Sequence, residues 1–260
     1  MHAILATARA TATDNPVSSV LPKRLHEFVV DELGSRIVRG ELRPGEALPI
    51  EDDLANDFGV SRTVVREAIK VLAHKRLLKV RTRTGTRVSP AAEWSQLDQD
   101  ILRWRFAGDL DAKFVANVIE LRRIIEPAAA ELAAARATPA ALRTIQAALQ
   151  QMMTTTLVKA HMAADLRFHL AILEAAGNEL LLGLRHGIEG ALNFAIHLTA
   201  QSQEDAANTL ALHKAVYDAI AARNPVAARA AMNRLVDRWS VKSQLLVAAK
   251  SQKSGRRTKA

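Results

Sequence analysis

Apolar residues recur along most of this chain with the period of a helix, and the interruptions mark the elements. Leu25, Phe28, Val29, Leu33 and Ile37 fall at helical spacing between residues 25 and 38, so one face can be buried. GELRPGEALP breaks the pattern with Gly40, Pro44 and Gly45 and reads as a turn. IEDDLANDFGV follows as a short helix with its acids in the first turn, where the helix dipole favours them, and Gly59 supplies a left-handed end. Ser61 is placed to cap a third helix, Arg62 to about Lys75, whose apolar stripe is Val65, Ala68, Ile69 and Leu72. LLKVRTRT and GTRVSP then read as two short strands turning around Gly85. Helix, helix, turn, helix, hairpin is a winged helix-turn-helix, predicted over residues 21–90.

The second half has another texture. AAEWSQLDQDILRWRFAGD, within a linker over 91–111, offers Trp94 and Trp104 as anchors against one or both halves. From Ala112 the chain is helical by period, with breaks at Thr138-Pro139, Gly177-Asn178, Gly183 to Gly190 and Asn224-Pro225. No strand alternation or glycine fingerprint appears. The fold class predicted is mainly α: the winged head, then an all-helical bundle of six or seven helices over 112–245 that can bind an effector and dimerise. Residues 1–20 read as a disordered leader and 246–260 as a basic tail.

Charge sharpens the picture of the head. Phe58 to Val88 holds nine Lys or Arg against one acid, Glu67, whereas Glu41 to Asp57 holds six acids against Arg43. Arg62, Arg66 and Lys70 line up at i, i+4 and i+8 on the third helix, with Ser61 and Thr63 at its start and Arg83 and Thr86 in the hairpin. Guanidinium groups at the start of a presented helix can fork onto guanine edges or phosphates, and a basic wing can grip the backbone. The acidic second helix is expected to lie behind the reading helix, clear of phosphates. A net charge of +9 suits a polyanionic partner, and double-stranded DNA is the partner predicted. The chain has no cysteine, which removes disulfides and thiolate chemistry and fits a reducing cytoplasm; no apolar run is long enough for a bilayer.

Three polar positions interrupt apolar stripes in the bundle. Arg122 sits among Val118, Ile125 and Ala129; His169 is centred among Met162, Leu166 and Leu173, with Asp165 one turn earlier; His213 is flanked by Leu210, Tyr217 and Ile220. Such groups must find partners or remain costly. Asp165 and His169 at i, i+4 can bite one cation, and His213 supplies a third ligand from another helix. Arg122 in the same interior suits the carboxylate of an effector. A metal-dependent hydrolase or lyase with an appended DNA-binding segment, and a DNA-binding architectural protein whose helical half only dimerises, are the alternatives this composition leaves open.

RGELRPGEALPIEDDLANDFGVSRTVVREAIKVLAHKRLL resembles the DNA-binding domain of the GntR family of bacterial transcription regulators, through Gly40, Pro44-Gly45, Leu48-Pro49, Leu54-Ala55, Val60-Ser61-Arg62, Val65-Arg66-Glu67-Ala68 and Leu72. The resemblance implies DNA contacts by Ser61, Arg62, Thr63 and Arg66, helped by the wing. It also exposes two departures: Asp52 stands where members often carry a DNA-contacting Arg, and Arg83 replaces the first Gly of a Gly-x-Gly wing. ELRRIIEPAAAELAA, DLRFHLAILEAAGNELL and LHKAVYDAIAARNPVAARAAM are similar to the FadR-type ligand-binding (FCD) domain. Metal-binding members use an Asp, a His one turn later and two further His. Asp165, His169 and His213 match the first three and Leu235 falls at the fourth, so the resemblance implies a divalent metal, zinc in the first place. WSQLDQDILRW adds a likeness to a branch of that subfamily concerned with aldonates. A homodimeric cytoplasmic repressor released by a small carboxylate, a galactonate-like sugar acid, is what these resemblances imply.

Overall fold

The computed structural model describes residues 21–81, 85–108, 111–199 and 203–240. Residues 1–20, Arg83 and the tail 246–260 lie outside them. The described chain is mainly helical, with a two-stranded wing as its only sheet among those residues.

The head consists of α1 (Leu21–Val38), α2 (Glu51–Phe58), α3 (Arg62–His74), β1 (Leu78–Arg81) and β2 (Gly85–Val88). Gly59 ends α2 at φ 64°, and its N–H closes the last turn. Ser61 Oγ then accepts from Val64 N at 3.4 Å and starts α3. Val65, Ala68, Ile69 and Leu72 face inward against Val29, Leu33 and Ile37 of α1. The strands are antiparallel, pairing Leu78 with Val88 and Val80 with Thr86. The predicted turn before α2 does more than reverse the chain. Gly45 N donates to Val88 O at 2.8 Å, Val88 N to Glu46 O at 3.0 Å and Leu48 N to Thr86 O at 2.9 Å, so residues 45–48 root the wing.

A short 3-10 turn, Ala91–Glu93, leads to α4 (Gln99–Ala107), capped by Asp98, whose side chain accepts from Asp100 N and Ile101 N. The stretch read as a linker is thus folded, and both tryptophans face the head. Trp94 Nε1 donates to Ser89 O at 3.0 Å, and Trp94, Ile101 and Trp104 complete the head's core. Trp104 lies on Gly34 of α1, where an added Cβ would stand 2.3–2.6 Å from ring carbons. On its other side, α4 touches the bundle: Leu102 and Leu97 rest on Gly190 and Gly187. Gly34→Ala gains up to about 1 kcal/mol of helix propensity, but overpacking against a rigid ring costs about 1–3 kcal/mol. We expect the variant to melt several degrees lower, measured by circular dichroism.

Among the described residues the bundle comprises seven helices, α5 (Ala112–Arg136), α6 (Pro139–Thr154), α7 (Val158–Ala175), α8 (Glu179–Gly183), α9 (Arg185–Thr199), α10 (Gln203–Ala221) and α11 over 225–240. Thr138 caps α6 and Asn178 caps α8, at two of the breaks read from sequence. α7 is central, packed on α5, α6, α9 and α10. Ala130, Ala133, Ala134, Ala164 and Ala171 line this interior, and such small side chains let helix axes come close. Among the described residues no helix is long and apolar enough to cross a membrane.

Candidate functional site

α3 carries Arg62, Thr63, Arg66 and Lys70 on an exposed face, with Ser61 at its cap. Thr86 sits half-buried in the wing, and Arg83 lies outside the described residues. The α2 acids do not lie behind this helix. Asp52 Oδ1 reaches Arg62 Nε at 2.6 Å, and Arg66 donates to Glu51 from Nη2 at 2.9 Å and from Nε at 3.2 Å. Lys70 Nζ pairs with Glu67 at 2.7 Å. The expectation of acids kept clear of the DNA side is therefore corrected: capping α2 with acids places them one short turn from the start of α3, within side-chain reach.

The second constellation is buried in the bundle. Arg122 of α5, Asp165 and His169 of α7 and His213 of α10 come together, and Arg122, His169 and His213 are each at most 5% exposed. Both imidazoles aim Nε2 at one atom, Asp165 Oδ1, at 3.2 Å each. Behind them the Nδ1 atoms are anchored. His213 Nδ1 lies 2.9 Å from Thr209 O, which can only accept, so that nitrogen bears the proton. His169 Nδ1 stands 2.7 Å from Glu126 Oε2, an ion contact bent too far for a good hydrogen bond. Glu126 also takes Arg122 through its Nε and Nη2. Arg122 then stacks over the Trp239 ring at 4.6 Å, and its Nη1 is buried without a hydrogen-bond partner.

Electrostatics binds the chain of groups together. Burial disfavours charge on Glu126, but the charges of Arg122 and His169 outweigh it and lower its pKa to about 2. Burial likewise resists the His169 imidazolium, while Glu126 and the hydrogen bond to Asp165 raise it to about 9. Asp165, opposed by burial and held by both imidazoles, lies well below the usual carboxylate range.

The three donors fit a cation. Asp165, His169 and His213 each offer one ligand atom, all within 4.8 Å of one another. The hydrogen bond of His213 Nδ1 to Thr209 O turns its Nε2 inward as in metal-ligating histidines, and His169 Nδ1 faces Glu126 instead. A cation there would compete with protons for the same nitrogen and carboxylate atoms. Leu235 is buried in the apolar core and cannot ligate, so the protein supplies three ligands from this cluster among the described residues. Glu126 and Trp239 were missed by sequence reasoning. The only signal for Glu126 was its place one turn beyond Arg122, next to Pro127; Trp239 gave none.

Two family models match the chain. The FCD domain matches residues 117–238, and the bacterial regulatory proteins of the gntR family match residues 25–88. The chain is 36% identical over 194 residues to the galactonate operon transcriptional repressor of Escherichia coli (strain K12), covering 74% of this chain and 85% of that protein. It is 35% identical over 221 residues to the putative L-lactate dehydrogenase operon regulatory protein of the same organism, covering 82% and 84%. A solved structure of Lar, which controls expression of the Listeria monocytogenes agr system, aligns at 22% identity with a TM-score of 0.62, over 88% of this chain and 98% of that one, and shows the fold. These relatives are regulators, which removes the reading as a metal-dependent enzyme with a DNA-binding appendage. The chain is a DNA-binding transcription regulator that belongs to the gntR family of bacterial regulatory proteins, with an FCD domain as its helical half.

Proposed function

We propose that the protein is a cytoplasmic, homodimeric repressor of genes for sugar-acid catabolism, released from its operator by a galactonate-like 2-hydroxy carboxylate. Ser61, Arg62, Thr63, Arg66 and Lys70 face the major groove, with Arg83 and Thr86 of the wing on the backbone. One head makes too few base contacts for a unique site, which is the reason for a dimer on paired half-sites. The effector carboxylate occupies the interior beside Arg122.

The observation that carries this reading is the Arg122 Nη1 buried without a partner. A guanidinium nitrogen in that state costs free energy that an anionic oxygen recovers. A divalent cation, zinc in the first place, on Asp165, His169 and His213 supplies a Lewis-acidic point for the carboxylate and its neighbouring hydroxyl. The relatives named for galactonate and L-lactate operons support the class, since both acids carry a hydroxyl beside the carboxylate. The effector acts by binding one arrangement of the bundle better than another. α9 packs on α5 and α7 and touches α4, which is docked on the head, so the route between the sites is continuous.

A thermal-shift series with D-galactonate and L-lactate, each with and without zinc, tests the proposal. Galactonate at a hundred times its Kd is expected to stabilise by about 2.7 kcal/mol, a rise of roughly 5–10 °C, and to release bound DNA, with both effects requiring metal. A shift with lactate alone would move the effector to a smaller 2-hydroxy acid. No response to either, with DNA binding intact, would favour a helical half that only dimerises.

A further inference from the structure

The outer face of α3 presents no free charge. Arg62 is held by Asp52, Arg66 by both oxygens of Glu51, and Lys70 by Glu67. In contrast, Arg76, Arg81 and Arg87, just past α3 and in the wing, have no carboxylate partner among the described residues. Grip and reading are therefore separated in space: unpaired cations flank a reading face whose charge is offset.

As stability devices these exposed pairs are worth only about 0–1 kcal/mol. Against DNA they act differently. A carboxylate within a Debye length of phosphates, about 8 Å at physiological salt, repels them with little screening. Arg66 spends its Nε–Nη2 edge on Glu51, which leaves Nη1 and the outer fork for a base. Arg62 is engaged at Nε, which restrains the guanidinium in the same way. A loose arginine swings to whichever phosphate is nearest; a held one meets only what lies in front of it.

We propose that Asp52 is a specificity-determining residue of the head: it fixes Arg62 and offsets its charge, so that DNA lacking the operator bases is bound poorly. The inference rests on Arg62 and Arg66 facing DNA. Asp53 of the same helical turn is exposed and makes no ion pair among the described residues, which makes it a matched control for charge alone.

The test uses the full chain with two duplexes: one selected by the protein from a random-centre pool, the other its scrambled counterpart. Binding is followed by fluorescence anisotropy across a salt series for the unaltered protein, Asp52→Asn, Asp53→Asn and Arg66→Ala. Freeing one cation for phosphate should tighten Asp52→Asn on the scrambled duplex roughly three- to tenfold and steepen its log K against log salt by about one. The selected duplex should gain less, because Arg62 loses its orientation, so the ratio between duplexes falls. Asp53→Asn should keep that ratio. Equal gains on both duplexes, no gain on the scrambled one, or identical behaviour of the two Asp variants would overturn the role of Asp52. Arg66→Ala separates the two readings. If it binds the selected duplex normally, the DNA-facing assignment fails; if it loses binding while Asp52→Asn is silent, only the role of Asp52 fails.

Discussion

Arg66→Ala is expected to lose about ten- to several-hundred-fold in affinity for the selected duplex while its thermal response to effector stays unchanged. A guanidinium forked onto a base edge accounts for about 1–3 kcal/mol, or roughly 5- to 150-fold. The structure adds a second contribution, because Glu51 loses its partner and then faces the DNA as a bare carboxylate. The double variant Glu51→Gln/Arg66→Ala should therefore bind better than Arg66→Ala alone. The cycle isolates that repulsion as a coupling energy, measured by anisotropy with the same duplex. Loss of effector response with DNA binding retained would reverse the assignment of the two halves.

His169→Ala is the other large expectation, and it has two parts. His169 lies between Glu126 and Asp165, so its removal takes from the buried Glu126 and the half-buried Asp165 the ring that joins them. Breaking a buried pair in this way costs about 3–5 kcal/mol, which lowers the melting temperature by roughly 10 °C in a domain of this size. His213→Ala removes a partner of Asp165 alone, since its other anchor is the Thr209 carbonyl, and should melt closer to the unaltered protein. Both variants are expected to bind operator DNA and to ignore the sugar acid. If His213→Ala, well folded and free of zinc by elemental analysis, still releases DNA on adding galactonate, the metal-centred pocket is wrong.

The head was legible because its signals are local. Ser61 and Gly59 mark the ends of α3 and α2 through backbone geometry that the neighbouring residues alone decide. Most of the bundle's helices and breaks followed from period, with Thr138-Pro139 and Asn178 at the caps. Gly183 to Gly190, read as a break, is mostly helix: α9 begins at Arg185, and Gly187 and Gly190 serve close packing under Leu97 and Leu102. His169 and His213 could be grouped because each interrupts an apolar stripe, and a stripe shows which side turns inward. Glu126 escaped because it follows Arg122 by one turn in RRIIEP and resembles an ordinary helix-surface pair. Only the close packing of α5 on α7 brings it onto His169. Trp239 escaped for the same reason at longer range, since its ring meets Arg122 from the last helix. The placement of the α2 acids was misjudged because charge segregation along a sequence does not set the direction of side chains across a turn. Glu51 and Asp52 are opposite in sign to Arg66 and Arg62 and near them in space.

One consequence of α4 concerns how such a protein is taken apart. Trp94, Ile101 and Trp104 belong to the head's core, and Trp104 fills the notch left by Gly34. A head severed at residue 90 would expose that groove to water, while a bundle starting at 91 would carry two unburied tryptophans. The natural seam for recombining sensors with DNA readers therefore falls between α4 and α5. Any transplanted bundle must bring glycines at the positions of Gly187 and Gly190 to seat Leu97 and Leu102. Modules that lack this seat would be tethered without being geared together.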